Sequence, residues 1–248
     1  MTSGTALSAH LVTGPPGAGK TTALIALEAQ HPQLTRFGVR DYGLKLAEAG
    51  DPLGLAARDT LTRGELLPDE LVLLQFAHFL DHLPAEVRSV VVEGYPRDGR
   101  QCADLVGALE ARGGRVASYI VLEVPDELVR ARVARRLICA RCGLPVPEAA
   151  PGACSECGGP VKTRDDDAAA RLDRRLAGYR RLGADVRAYF EARGLLRIVD
   201  GRRDPAEVRG ALAGLLVPEA PAPDGEPALH RAGSSHERRA PSSQERRG

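Results

Sequence analysis

Gly14-Pro15-Pro16-Gly17-Ala18-Gly19-Lys20-Thr21 fits the phosphate-binding pattern G-x-x-x-x-G-K-[ST]. Its flanks fit too. Leu11 and Val12 lead in as a buried strand would, and Thr22-Ala23-Leu24-Ile25-Ala26-Leu27 continues as a helix would. Glycines in this pattern let backbone N–H groups turn inward on phosphate oxygens, and the loop feeds a helix N-terminus whose dipole favours an anion. Lys20 is then placed to reach the β- and γ-phosphates of a nucleoside triphosphate, with the hydroxyl of Thr21 or Thr22 helping to hold Mg²⁺. ATP and Mg²⁺ are therefore the expected ligands of Gly14, Gly17, Ala18, Gly19, Lys20, Thr21 and Thr22.

Outward from the loop, short apolar runs alternate with longer helical patterns. Ser89–Val92, Tyr119–Leu122 and Leu196–Val199 read as buried strands; Gln101–Arg112, Asp126–Leu137, Asp167–Arg193 and Pro205–Leu216 read as helices, with Pro125 and Pro205 at first-turn positions. The alternation predicts an α/β fold: a parallel sheet with helices on both faces, binding nucleotide beyond the carboxyl ends of its strands.

Of 248 residues, 43% are hydrophobic, enough for a sizeable core, and the formal net charge of +1 argues against a dedicated nucleic-acid binder. Residues 1 to 8 lack the basic start and apolar run of a signal peptide, and no stretch is long and apolar enough to span a bilayer, so a cytoplasmic location without membrane attachment is expected. Residues 1–217 read as the folded P-loop domain. From Pro218 to Gly248 the chain is Pro, Ala, Gly, Ser, Glu and Arg with few large apolar side chains, the composition of a disordered tail.

A reducing compartment leaves the five cysteines to be explained without disulfides. Cys139-x₂-Cys142 and Cys154-x₂-Cys157 have the spacing of two zinc knuckles, each followed by a glycine, Gly143 and Gly158. Four protein ligands leave no open position for water, so the Zn²⁺ is expected to be structural and to staple a small subdomain. Cys102, with no histidine near it, reads as a small buried residue.

Phosphoryl transfer needs cations around three phosphates more than it needs a covalent nucleophile. Arg97 follows a strand end, Arg132 and Arg136 stand four apart on one expected helix face, Arg164 borders the zinc loop and Arg175 lies on the next helix. Together they form a candidate clamp.

The order of blocks is similar to that of the zinc-lid adenylate kinases of bacteria. The matching stretches are the Gly14–Lys20 loop, Gly64–Glu70, Glu93-Gly94-Tyr95-Pro96-Arg97 with Gln101, Val124–Leu128 with Arg132 and Arg136, the Cys₄ insert, and Arg164–Asp167 with Arg175. They cover nearly all of residues 8 to 216. The resemblance implies a parallel-sheet core, an acceptor-binding helical segment at about 38–68, a lid at about 138–167, a monomer, and the reaction of ATP with a nucleoside monophosphate to give two diphosphates. It further implies that Arg132 lies on the donor adenine. Arg97, Arg136, Arg164 and Arg175 would neutralise the transferring phosphoryl and acceptor phosphate, Asp166 and Asp167 would engage those arginines or the phosphate loop on lid closure, and Gln101 with the Gly94 backbone would face the acceptor base.

Departures from the family pattern are local. Thr21-Thr22-Ala23 replaces Gly-Thr-Gln, and Glu93 replaces an aspartate, keeping a carboxylate able to orient water on Mg²⁺. Where the family reads Ser/Thr-Gly-Asp-x-Leu-Arg, this chain reads Val39-Arg40-Asp41-Tyr42-Gly43-Leu44, so the base-contacting hydroxyl and the acceptor-phosphate arginine are both replaced, with Arg40 or Lys45 as substitutes. A nucleoside monophosphate kinase is the first expectation. A kinase with another phosphorylated acceptor, or an ATP-binding regulator that transfers little, are the alternatives; the full set of arginines opposes the second.

Overall fold

A computed structural model of the chain describes residues 6–217 apart from 64, 148–151 and 164–167. The tail beyond Val217, Arg164, Asp166 and Asp167 lie outside the described residues. Strand β1 (Ser8–Thr13) runs into the phosphate loop and helix α1 (Lys20–Gln30) leaves it. There follow β2 (Leu34–Gly38), α2 (Val39–Glu48), α3 (Pro52–Thr62), α4 (Asp69–Asp81), β3 (Ser89–Glu93), α5 (Gly99–Glu110), β4 (Arg115–Glu123) and α6 (Asp126–Ala134). The remainder is β5 (Leu137–Cys139), β6 (Pro145–Val146), β7 (Val161–Thr163), α7 (Ala169–Glu191), β8 (Leu196–Asp200) and α8 (Pro205–Leu216).

The main sheet has the order β2-β3-β1-β4-β8, every neighbouring pair parallel. The parallel α/β architecture expected from the sequence is therefore the one observed. Both faces of the sheet are covered, as its near-continuously apolar strands require. One face packs Leu11, Phe37, Val90, Val92 and Tyr119 with Phe76, Phe79, Leu105 and Phe190; the other packs Val12, Val91, Ile120 and Leu122 with Leu24, Leu27, Leu212 and Leu216. Within the sheet His10 Nδ1 lies 2.8 Å from Ser118 Oγ, and burial, with help from Arg115, lowers the His10 pKa to about 4, so the ring is neutral. Cys102 is buried, as its isolation suggested, and burial raises its thiol pKa to about 11.

Local signals set several boundaries. Asp51 caps α3 by accepting from Leu53 N with Pro52 at the first helical position, and α8 starts on a reciprocal Asp204–Glu207 capping box. One expected helix is shorter than its pattern. Residues 126–137 were read as continuous, but α6 ends at Ala134, where Arg135 caps it, and Leu137 opens β5. Arg132 and Arg136 therefore do not share a helix face. The physical reason is the antiparallel three-stranded sheet β6-β5-β7, which recruits Leu137–Cys139 as its central strand.

Candidate active site

The phosphate loop is shaped by left-handed backbone at Gly17 and Gly19, with φ of +77° and +92°. At Gly17 no side chain fits either, because a β-carbon there would lie 2.6 Å from Val133 Cγ2 on α6. No side chain caps the first turn of α1, which leaves its N–H groups open to an anion. Lys20 Nζ donates to the carbonyls of Gly14 and Pro15 at 2.9 and 3.0 Å, which holds the ammonium over the loop.

A cavity of about 520 Å³ opens beside this loop, at the carboxyl ends of the main strands. Gly17, Ala18, Gly19, Lys20, Thr21 and Thr22 line it, together with Arg40, Gly94, Arg97, Arg132, Arg136 and Arg175. Of the cations singled out in the sequence, Lys20, Arg40, Arg97, Arg132, Arg136 and Arg175 thus meet in one cleft although they come from six separate segments, while Lys45 is not on its wall. Their acidic counterparts on the wall are few: Asp41 and Glu93.

Two sequence-chosen residues stand off the wall. Gly14 supports the loop from behind, its carbonyl holding Lys20. Gln101 is buried, and its amide is engaged on both sides: Oε1 accepts from Arg97 N at 2.7 Å and Nε2 donates to Asp69 Oδ1 at 2.7 Å. It fixes the backbone that carries Arg97. Leu44 is not on the wall either. It faces the zinc-knuckle turn, where a β-carbon on Gly143 would lie 3.1 Å from Leu44 Cδ1 and 3.5 Å from Arg40 Nε.

Other wall residues were missed. Gly201, Arg203, Pro205, Val208 and Arg209, from the β8–α8 turn and α8, also line the cavity. Their signal was available in principle, since they follow the carboxyl end of a parallel strand. Arg36 and the whole of β2 were also missed; Leu34-Thr35-Arg36-Phe37 is too short and mixed to register as a strand.

In the small sheet the four cysteines converge. Their Sγ atoms all lie within 4.8 Å of one another, with Cys139 to Cys157 at 3.5 Å and Cys142 to Cys154 at 3.7 Å. A tetrahedral zinc with bonds of about 2.3 Å separates its sulfurs by about 3.8 Å, so the donor set fits. Gly143 and Gly158 close the two knuckles with positive φ, donating to the carbonyls of Cys139 and Cys154. A β-carbon on Gly159 would stand 2.7 Å from Cys139 Sγ and 3.3 Å from Cys157 Sγ. Only glycine lets the chain pass so close to the thiolates.

A phosphate loop, a cavity rich in arginine and a parallel sheet with a cysteine-stapled insert define a P-loop phosphotransferase. The adenylate kinase family model matches residues 12–195. An adenylate kinase of Rhizorhabdus wittichii is 35% identical over 213 residues, covering 83% of this chain and 98% of the relative. One of Novosphingobium aromaticivorans is 32% identical, with 84% and 98% covered, and one of Dehalococcoides mccartyi 34% identical, with 79% and 91% covered. The chain belongs to the adenylate kinase family. It is a nucleoside monophosphate kinase, a phosphotransferase of a class that uses ATP and Mg²⁺.

Proposed function

We propose that the protein transfers the γ-phosphoryl group of ATP directly to the phosphate of a nucleoside monophosphate, AMP being the simplest acceptor. The observation that supports this most is the convergence of Lys20, Arg97, Arg136 and Arg175 on one cavity. Negative charge spread over the transferring group is balanced by such preorganised cations, and Lys20 bridges the leaving and transferring phosphates. Mg²⁺ neutralises charge on the donor phosphates; the hard oxygen donors of Thr21, Thr22 and Glu93 suit it. On this reading Arg132, with the newly placed Gly201–Val208 wall opposite, holds the donor base. Arg164 joins the clamp from the edge of the insert. The segment from about 38 to 68 takes the acceptor, with the Gly94 backbone facing it and Gln101 acting through Arg97. The Cys139, Cys142, Cys154 and Cys157 cluster holds a structural Zn²⁺, and the insert from about 138 to 167 closes as a lid that keeps water from the γ-phosphate. All these residues come from one chain, in keeping with a cytoplasmic monomer; among the described residues no helix is long and apolar enough to cross a membrane.

With Leu44 turned to Gly143, the acceptor phosphate falls to Arg40 and Arg97, which line the cavity. A charged bidentate contact is worth about 1.5–3 kcal/mol, so AMP binds about tenfold or more weakly than it would with an arginine at position 44. Leu44→Arg should lower the KM for AMP by that factor and leave the KM for ATP unchanged in steady-state assays. An unaltered KM for AMP would mean that the acceptor phosphate does not lie by the first turns of α2.

A further inference from the structure

Beneath the cavity floor lies a buried ion network that none of the functional assignments above uses. Arg36, in the middle of β2, has a side chain only 7% exposed. Its Nη1 donates to Glu93 Oε2 at 2.8 Å and its Nη2 to Asp41 Oδ2 at 2.5 Å. The other oxygen of Glu93, Oε1, accepts from Thr21 Oγ1 at 2.5 Å. One unbroken chain of hydrogen bonds thus runs from the first turn of α1 through the end of β3 and the middle of β2 to the first turn of α2.

We propose that Arg36 is a positioning residue for phosphoryl transfer: it seats the Glu93 carboxylate on Thr21, facing the metal of the donor nucleotide, and ties it to Asp41 at the start of the acceptor segment. This rests on the reading of the cavity as a Mg²⁺-dependent kinase site.

Three observations carry it. First, Thr21 and Glu93 are both departures from the family pattern, which has glycine and aspartate there, and the two new side chains meet each other. The longer carboxylate reaches the hydroxyl on one side and Arg36 on the other, so its extra methylene is taken up away from the phosphates. Second, space is reserved for the guanidinium. A β-carbon on Gly38 would lie 2.3 Å from Arg36 Nη1 and 3.0 Å from Asp41 Oδ2. Third, the arrangement is costly as a purely structural device. Arg36 Nε has no hydrogen-bond partner among the described residues, and buried ion networks are often replaced by apolar side chains without loss of stability. Asp41 and Glu93 line the cavity while Arg36 does not, so what the cation controls is the state of two carboxylates that face the substrates.

The sign follows from the surroundings. Burial opposes the charge on Arg36, but attraction to Asp41 and Glu93 outweighs it and its pKa is raised, so it stays cationic. Burial raises the Asp41 pKa, with repulsion from Glu93 adding to the rise and Arg36 pulling against both. The other charges around the network are Lys20 and Glu28 from α1, Arg40 from α2 and Arg97 from the β3–α5 turn. Without Arg36 the Glu93 carboxylate loses the donor that turns its other oxygen to Thr21, and it no longer faces the metal in one fixed orientation.

The test is ATP binding by calorimetry across a Mg²⁺ titration. For Arg36→Met, the Mg²⁺ concentration giving half of the binding enhancement should rise about tenfold, the effect of losing one charged hydrogen bond that orients the carboxylate. Metal-free ATP binding should be unchanged, and Arg36→Lys should retain most of the wild-type response. Should Arg36→Met fail to fold, Arg36→Met/Asp41→Asn removes one charge of each sign while still depriving Glu93 of its donor, and the same shift is expected. Wild-type Mg²⁺ dependence in the folded variants would overturn the proposal. ATP that fails to bind the wild-type protein at any Mg²⁺ concentration would overturn the kinase reading itself, and the proposal with it.

Discussion

Lys20→Ala should lower kcat by about 100- to 1,000-fold, the loss that follows removal of one preorganised charge from a phosphoryl-transfer site. The ammonium is held over the loop by the Gly14 and Pro15 carbonyls, on the wall of the cavity, and among the described residues it is the one cation from the helix turn that faces the phosphates. Stability should change little. Lys20 lies outside both apolar layers of the sheet, and a substitution at such a site usually moves stability by about 0.5 kcal/mol or less. Loss of transfer with an unchanged unfolding midpoint is thus the expected pair of results. A midpoint that falls with the rate would show that Lys20 holds the loop itself together.

The second large effect is expected at the cysteine cluster. Zinc bound by four thiolates contributes its binding free energy to folding, on the order of 10 kcal/mol or more in small zinc modules. Cys139, Val146 and Cys154, with Leu137 and Val161 against them, form an apolar cluster separate from the sheet's two layers, too small to order the insert alone. Cys154→Ser should therefore abolish stoichiometric zinc in protein purified without chelator and open the region of residues 137–163 to limited proteolysis, with the main sheet still protected. Transfer should fall more than ATP binding, since Leu137, Ile138, Pro145 and Val146 wall the cavity but the phosphate loop does not depend on them. Metal-free wild-type protein with an intact, protease-resistant insert would contradict the assignment.

What was legible in the sequence was what repeats a local physical rule. The phosphate loop, the buried strands at 89 and 119, and the cysteine spacing each depend on neighbouring residues alone; the run at 196 is a strand as read but not a buried one, since β8 is an edge strand with Arg197 and Ile198 exposed and only Val199 buried. Fold class and metal donors were readable for that reason. The boundary at Ala134 was not, because it is decided by pairing with β7, whose closest partners in sequence, Cys139 and Val161, are 22 residues apart. Helical periodicity through Arg136 loses to that ladder. Likewise nothing in the mixed segment around Arg36 marks it as buried; its partners Asp41 and Glu93 are 5 and 57 residues away, and only the β2–β3 pairing brings the second within reach. The donor-side wall at Gly201–Arg209 is a product of strand order, β8 lying at the far edge of the sheet. Gln101 shows the opposite limit. Its place beside Arg97 was readable, but the competing partner Asp69, which takes up its amide, was not.

The central claim is direct transfer from ATP to a nucleoside monophosphate by this chain. It is tested most directly by following γ-labelled ATP with wild-type protein, Mg²⁺ and each of AMP, CMP, UMP, GMP and dAMP, with release of free phosphate measured alongside. The account predicts label in the β-phosphate of the nucleoside diphosphate formed from AMP, at a high KM for AMP and with little free phosphate. Label appearing only as free phosphate, or none transferred to any of the five acceptors, would contradict it.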